Sequence, residues 1–419
     1  MIDIKALRKE PEFFKDAFRA KGVEMDVDVI LKLDEEVREL KIRSEKIRSQ
    51  KNAASKEMAA ASADVKADII AKMKEVDGEG DATEQQLKEI DIKLNAALSV
   101  LPNPALPDVK VGKDETENEI VRIVGKPKVF TFTVKDHAEL GKILNIINLE
   151  AGAVAAGARF TYLQGDAVLL QFALLEYALG IILDKGFIPV IPPHMLTEEN
   201  MGAMGYLEHG GKNEIYFLEK DKLYLIGTSE QVIGPMHRDE VFDIKELPRR
   251  YVGYSPCYRR EAGSYGKDTK GILRLHQFDK LELFSYTTPE QSGDEHEFLL
   301  SIEEKLVSGL GLPYRVVKQC TGDLGLPAAR KYDIEVWIPS QNAYRETHST
   351  SNCTDWQARR LNIKVKGGGK TEIAHTLNGT AFAIGRMLVA ILENEQNEDG
   401  TVNIPDALIP FMRGRKIIG

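Results

Sequence analysis

A chain of 419 residues exceeds one ordinary domain, points to two or three, and is long enough to bury a sizeable core. With 43% apolar and 29% charged residues it has the make-up of a water-soluble globular protein, and no run approaches the roughly 18 apolar residues that span a bilayer. The formal net charge of −9 excludes indiscriminate nucleic-acid binding but leaves room for a local basic face.

The N-terminus, MIDIKALRKEPEFF, alternates charged and apolar residues instead of building a signal-peptide core, so a cytoplasmic location with no membrane partner is expected. Composition changes sharply near residue 105. Up to residue 100 there is no Trp, the aromatics stop at Phe18, and the only proline is Pro11, which is a helical composition. Apolar residues recur at Ile30, Leu33, Val37, Leu40 and Ile47, and again at Met73, Val76, Leu87, Ile90, Leu94 and Leu101. This three-four spacing predicts two long helices with a turn around 59–64. A helix of about 30 residues is ~45 Å long, too long for a small domain to cover, so an antiparallel coiled-coil hairpin over about 27–101 is expected to project as an arm. Gly78, Gly80 and the acidic stretch 77–84 predict a kink or frayed segment in the second helix. Arg38, Lys41, Arg43, Lys46, Arg48, Lys51 and Lys56 face only Glu39 and Glu45 in the same stretch, a local excess of five positive charges. Such a hairpin fits a solvated stalk, a dimerisation element or a nucleic-acid-binding face.

LPNPALPDVK, residues 101–110, reads as an extended linker between domains at 1–104 and 105–419. Helical patterns follow at 138–149 and 165–186, and the prolines of PVIPPHML suit an edge or interface strand. From Asn213 onward strands are expected at 215–218, 222–226, 249–258, 273–286, 333–338, 344–351, 361–366 and 371–376. Few helices separate them, which predicts an α+β fold whose sheet is mainly antiparallel and flanked by helices. VKGGGK at 365–370 lies between two strands with no helix after it, so it reads as a hairpin tip and not a phosphate loop. Cys257, Cys320 and Cys353 are isolated, with no paired spacing, so reduced thiols and no zinc are expected.

The segment 256–282, PCYRREAGSYGKDTKGILRLHQFDKLE, carries the densest chemistry. Arg259 and Glu261 are two apart, Arg274, Phe278 and Glu282 are four apart, and the loop between supplies Lys267, Lys270 and three glycines. Guanidinium groups suit polyphosphate oxygens, an aromatic ring suits a base, and a carboxylate suits an amino group or hydroxyl. An amphipathic hairpin with a charged tip would have the same pattern.

REAGSYGKDTKGILRLHQFDKLE resembles motif 2 of class II aminoacyl-tRNA synthetases, and specifically of the seryl-tRNA synthetase family. GFIPVIPP, at 186–193, resembles motif 1, the dimer-interface element, and HTLNGTAFAIGRMLVAILENEQ, at 375–396, resembles motif 3. The resemblance implies a serine--tRNA ligase: ATP-dependent formation of seryl-adenylate, then transfer to the 3′ end of tRNA(Ser), with tRNA(Sec) as a further candidate. It implies a homodimer whose arm reaches the long variable arm of tRNA on the other subunit, with Arg38, Lys41, Arg43, Lys46, Arg48 and Lys51 facing phosphates. A relative that loads a carrier protein would lack that arm. Another class II specificity and a non-catalytic scaffold are the remaining alternatives.

Carried over residue by residue, the resemblance gives Arg259 and Arg386 the catalytic role of neutralising phosphate charge. Thr228 and Glu230 would grip the serine ammonium, Arg259 its carboxylate and Glu282 its hydroxyl, with Asn378 and Thr380 completing the serine site and Asn352 shaping it. Arg259, Arg260, Glu261, Arg274, Phe278 and Arg386 would bind ATP. Glu346 and Ser349 would hold Mg²⁺ on the phosphates and so also count among the ATP ligands. His348 reads as structural. Thr380, Ala381 and Phe382 depart from the residues frequent in the family, which bears on the fit of the serine pocket.

Overall fold

The protein is represented by a computed structural model that describes residues 1–60, 62–262 and 270–419. The chain divides into two compact units, Met1–Pro102 and Asn103–Gly419.

In the first unit, short helices Ile4–Lys9 and Pro11–Ala20 precede two long ones, α1 (Val27–Ala60) and α2 (Ala63–Ser99). At 1.5 Å per residue these are roughly 50 and 55 Å long. Ile30, Val37 and Ile47 of α1 and Ile69, Leu94 and Leu98 of α2 are buried, while Leu33, Leu40, Met73, Val76, Leu87 and Ile90 are half-buried along the same seam. Ion pairs Lys41–Asp91, Arg43–Glu79 and Lys51–Asp77 run in opposite sequence directions, so the helices are antiparallel. The predicted turn falls between Ala60 and Ala63, with Ala61 outside the described residues.

The expected fraying is not found, because α2 continues through Gly78 and Gly80. Gly80 is buried, and a Cβ there would sit 3.3 Å from Ile47 Cγ2 and 3.1 Å from Lys51 Nζ. Glycine therefore lets the helices approach. The acidic residues that weaken an isolated helix are paired across the seam, Asp77 with Lys51 at 2.7 Å and Glu79 with Arg43 at 2.9 Å.

The second unit is built on one eight-stranded sheet. Its strands are β1 (Glu119–Val124), β2 (Ile188–Val190), β3 (Arg249–Tyr258), β4 (Gln277–Thr287), β5 (Tyr314–Lys318), β6 (Arg330–Ile338), β7 (Ala343–Asn352) and β8 (His375–Ala383). The order across the sheet is β1-β5-β6-β7-β8-β4-β3-β2, antiparallel throughout except where β2 pairs with β3. The α+β reading holds, and the proline-containing strand β2 lies at an edge.

One face of the sheet is covered by α3 (Asp166–Leu183), α4 (Ser292–Gly309) and α5 (Ile384–Asn394). Leu170 and Leu174 of α3, Leu299 and Leu306 of α4, and Leu388 and Ile391 of α5 pack in one core with Leu283, Val316, Ile334 and Leu377 of the strands. Side chains alternate across a strand, so the intervening residues of β4, β6, β7 and β8 face the other side. Among the described residues α3 is the one helix that by length and composition could cross a membrane, a correction to the sequence reading. Its buried Ala167, Leu170, Leu174, Ala178 and Ile182 make it instead the central helix of this core.

Several boundaries move. The helix expected over 138–149 breaks into helix His137–Ile143, strand Ile147–Asn148 and helix Leu149–Ala156, with Asn145 in a left-handed turn at φ 52°. The segment 101–110 is irregular but anchored: Asn103 Nδ2 donates to the carbonyls of Pro327 at 2.9 Å and Cys353 at 2.8 Å. VKGGGK is a hairpin tip, Lys364–Gly367 paired with Lys370–Ile373 around Gly368 and Gly369, both with positive φ as a tight two-residue turn demands.

Candidate active site

The exposed side of the central strands lines a cavity of about 560 Å³. Phe278, Lys280 and Glu282 of β4 enter it at every second position, joined by Lys331 of β6, Glu346, Ser349 and Ser351 of β7, and Asn378 and Thr380 of β8. Thr228 and Glu230 come from the turn into helix Glu230–Ile233, and Arg259, Glu261, Arg274 and Arg386 from just beyond strand ends.

Two β-bulges decide which residues face the cavity. Pairing steps from Ile334–His348 to Glu335–Glu346, leaving Thr347 as an extra residue in β7, and from Leu281–Phe382 to Glu282–Thr380, leaving Ala381 extra in β8. Regular alternation would put Glu346 and Ser349, three apart, on opposite faces; the bulge brings both to the cavity. His348 and Phe382 turn into the core, with ring centroids 5.6 Å apart. Burial pushes the His348 imidazole down to about 3, so it stays neutral there. Ala381 and Phe382, fully buried in the core, therefore do not shape the cavity, and of the three departures only Thr380 does.

At one end of the cavity two carboxylates lie close together. Glu230 accepts a hydrogen bond from the Tyr206 hydroxyl, and burial, then the nearby charge of Glu282, pushes its carboxyl up to about 7. Glu282 Oε2 lies 2.5 Å from Lys280 Nζ and accepts from Thr380 Oγ1 at 3.2 Å. An ammonium group would find an acceptor cluster here, and a hydroxyl a fixed carboxylate.

The other end is cationic. Arg386 Nη1 donates to the Glu346 carbonyl at 2.8 Å and lies 3.3 Å from Glu346 Oε2. Burial alone would raise Glu346, but Lys331, Arg386 and Arg259 outweigh it and hold the carboxyl at about 2. Arg274 pairs with Glu261 Oε2 at 2.9 Å. Glu261 itself has left-handed backbone, φ 51°, so its approach to Arg274 comes from a turn and not from strand alternation with Arg259. Arg259 occupies the middle. It donates twice to the Gly227 carbonyl at 3.2 Å, lies 5.3 Å from the Phe278 ring centroid, and its charge acts on both Glu230 and Glu346.

The structure thus gathers Thr228, Glu230, Arg259, Glu261, Arg274, Phe278, Glu282, Glu346, Ser349, Asn378, Thr380 and Arg386 in one cavity. Arg260 is not among them: it is exposed, 5.9 Å from the Tyr216 ring, because its neighbour Arg259 takes the inward direction. Asn352 also points away, donating to the Ser292 carbonyl at 3.0 Å. Lys267 and two of the loop glycines, Gly263 and Gly266, lie outside the described residues, and Lys270 pairs with Asp136. On the arm, Arg43 and Lys51 are held by α2, Arg38 by Asp34, and Lys41 approaches Asp91 at 4.0 Å, while Lys46 and Arg48 are exposed without an ion pair among the described residues.

Sequence reasoning missed Tyr206, Lys280 and Lys331. Lys280 was within reach of it, since it shares the strand face of Phe278 and Glu282; Tyr206 carries no comparable signal.

Comparison with known proteins agrees along the whole chain. The seryl-tRNA synthetase N-terminal domain matches residues 1–105, and the tRNA synthetase class II core domain (G, H, P, S and T) matches 216–395. The serine--tRNA ligase of Paenarthrobacter aurescens (strain TC1) is 44% identical over 427 residues, taking in 100% of this chain and 99% of that one. Two solved structures are similar over 100% of this chain. One is the seryl-tRNA synthetase of Pyrococcus horikoshii complexed with ATP, with a TM-score of 0.93, 40% identity and 99% of that chain covered. The other is the cytoplasmic serine-tRNA ligase of Naegleria fowleri in complex with AMP, with a TM-score of 0.89, 34% identity and 98% covered. By domain content, full-length identity and fold, the chain belongs to the seryl-tRNA synthetase family of class II aminoacyl-tRNA synthetases.

Proposed function

We propose that the protein activates L-serine with ATP and transfers the seryl group to the 3′-terminal adenosine of tRNA(Ser). The observation that carries this reading is the position of Arg259, between a buried acidic pocket at Glu230 and Glu282 and a cationic end at Arg386 and Arg274. A zwitterion fits the first and a polyphosphate the second, with one guanidinium shared between the amino-acid carboxylate and the α-phosphate.

Glu230, with Thr228, takes the serine ammonium, Arg259 its carboxylate, and Glu282 its hydroxyl; Asn378 and Thr380 complete the pocket wall. Phe278 stacks on the adenine, Glu261 accepts from its amino group, and Arg274 and Arg386 hold the outer phosphates. A serine carboxylate oxygen attacks the α-phosphorus, the bond to the bridging oxygen breaks, and diphosphate leaves. The 3′-hydroxyl of tRNA then attacks the seryl carbonyl and AMP departs. No side chain acts as nucleophile; the arginines position the reactants and neutralise charge.

Glu346 and Ser349 fit Mg²⁺, an ion that takes few protein ligands and completes its shell with water and phosphate. A carboxyl held at about 2 beside a hydroxyl on the same cavity wall is such a donor set, and the ion would add charge neutralisation at the phosphates.

The arm, with exposed Lys46 and Arg48, recognises tRNA by phosphate contacts and shape. The protein acts as a homodimer, with β2 and its exposed Ile188 and neighbouring Ile191 at the interface, in the cytoplasm where tRNA is charged. Glu282→Ala tests the pocket: serine activation should fall far more than ATP binding, and equal losses of both would refute the assignment. Removal of residues 27–101 should abolish tRNA charging and spare ATP–diphosphate exchange; unimpaired charging would exclude the arm. Sequencing the charged tRNA separates tRNA(Ser) from tRNA(Sec).

A further inference from the structure

We propose that Lys280 is a specificity-determining residue of the amino-acid pocket: paired with Glu282 inside the cavity, it makes that carboxylate select a neutral hydroxyl and reject a cationic side chain of the same size. The inference rests on the serine reading above.

Lys280 lies between Phe278 and Glu282 on the cavity face of β4. Its side chain is 7% exposed and that of Glu282 1%, with Nζ 2.5 Å from Oε2. A buried ammonium is costly without a partner, and replacing such a pair with apolar residues is often neutral for stability. A fold-stabilising role therefore does not require it. The hydroxyl of Thr380 donates to the same Oε2, so two donors occupy one oxygen and leave Oε1 as the acceptor for a ligand. The charge of Lys280 also reaches Glu230, where it opposes the effect of burial.

Charge matching then sets the selectivity. The serine ammonium meets Glu230, its carboxylate meets Arg259, and the Lys280–Glu282 pair is neutral as a unit. What remains for the side chain is an acceptor with no net charge, suited to a hydroxyl. Take Lys280 away and Glu282 becomes an uncompensated buried carboxylate, whose best ligand is a cation. L-2,3-diaminopropionate is the discriminating probe, since it matches serine except for an ammonium in place of the hydroxyl. Lys280 repels it, and in the absence of Lys280 the pocket attracts it.

The test is ATP–diphosphate exchange with serine and with L-2,3-diaminopropionate, for the unmodified protein, Lys280→Met, Lys280→Arg and the double variant Lys280→Met/Glu282→Gln. Lys280→Met should raise the serine KM about ten- to a hundredfold, with the ATP KM within about twofold. The ratio of kcat/KM for diaminopropionate over serine should rise at least about tenfold. Lys280→Arg, which keeps the charge, should hold the ratio low, and the double variant should lose the gain. Should Lys280→Met melt too low to assay, Lys280→Gln reads the same ratio. An unchanged ratio in a folded variant with normal ATP KM, or a shift in Lys280→Arg as large as in Lys280→Met, overturns the role of Lys280 alone. Absence of serine-dependent exchange in the unmodified protein overturns the serine reading and this inference with it.

Discussion

Lowering the pH should weaken serine binding through Glu230. Burial, then the charge of Glu282, pushes this carboxyl up to about 7. The serine ammonium needs the ionised form, so below that value binding must first remove a proton. At pH 6, one unit below, roughly one carboxyl in eleven is ionised, so the serine KM should be about tenfold higher than at pH 8. The ATP KM should change little, because Glu346, which faces the phosphate end, is held at about 2 and stays ionised. Glu230→Gln should flatten the profile while raising the serine KM at every pH. The same shift acts on stability. A carboxyl raised above its unfolded value contributes stability below that value, near pH 4.5, and loses it as pH rises through about 7. Glu230→Gln should therefore stabilise the protein at pH 8 by up to about 3 kcal/mol, with the gap closing toward pH 5. The assay is serine-dependent exchange from pH 6 to 8.5, with melting curves at the same points. A serine KM that stays flat between pH 6 and 8 would refute the reasoning.

Other perturbations probe the strands and the arm. A Cβ on Gly379 would lie 2.6 Å from Oε1 of the fully buried Glu303 and 3.3 Å from Thr350 Oγ1. Gly379→Ala should cost about 1–3 kcal/mol by thermal melting and raise the serine KM, since Asn378 and Thr380 flank it; a neutral outcome in both would show the strand to be yielding. Gly78 is exposed in mid-helix with nothing within 4 Å of an added Cβ, so Gly78→Ala should stabilise the arm by about 0.5–1 kcal/mol, read by urea melts; a loss of stability would contradict the unbroken helix. Lys46→Ala/Arg48→Ala should lower tRNA charging several-fold, less so at higher salt because fewer phosphate contacts flatten the salt dependence, with exchange unchanged, whereas unaltered charging would move the phosphate contacts elsewhere.

Much of the architecture was legible because the signals are local. Strand 249–258 was expected at the bounds where β3 lies, and the glycine pair of VKGGGK forms the predicted tight turn. Helix α4 escaped notice because its inward face mixes Leu299, Leu300 and Leu306 with buried Glu295, His296 and Glu303, which blurs the apolar stripe. The arm's second helix was read as weak from its glycines, but Gly80 and the acids around it are explained only by the partner helix. In the site, alternation along a strand correctly turns Phe278 and Glu282 inward. It fails for Glu346 and Ser349, where a bulge adds a residue, since a bulge depends on the neighbouring strand. Arg260 and Asn352 lie off the cavity for the complementary reason: each adjoins a residue that faces it, so Arg260 turns to the surface and Asn352 into the buried layer beneath α4. Lys280, legible by the same alternation, was passed over because its role depends on Thr380 and Glu282 meeting across two strands.

The most direct test of the account is amino-acid-dependent ATP–diphosphate exchange with serine, threonine, alanine and glycine, followed by charging of bulk tRNA. The account predicts exchange with serine, discrimination against alanine on the order of 10⁴-fold because Glu282 would be left unpaired, and seryl transfer to tRNA. Absence of serine-dependent exchange, or equal rates with serine and alanine, would contradict it.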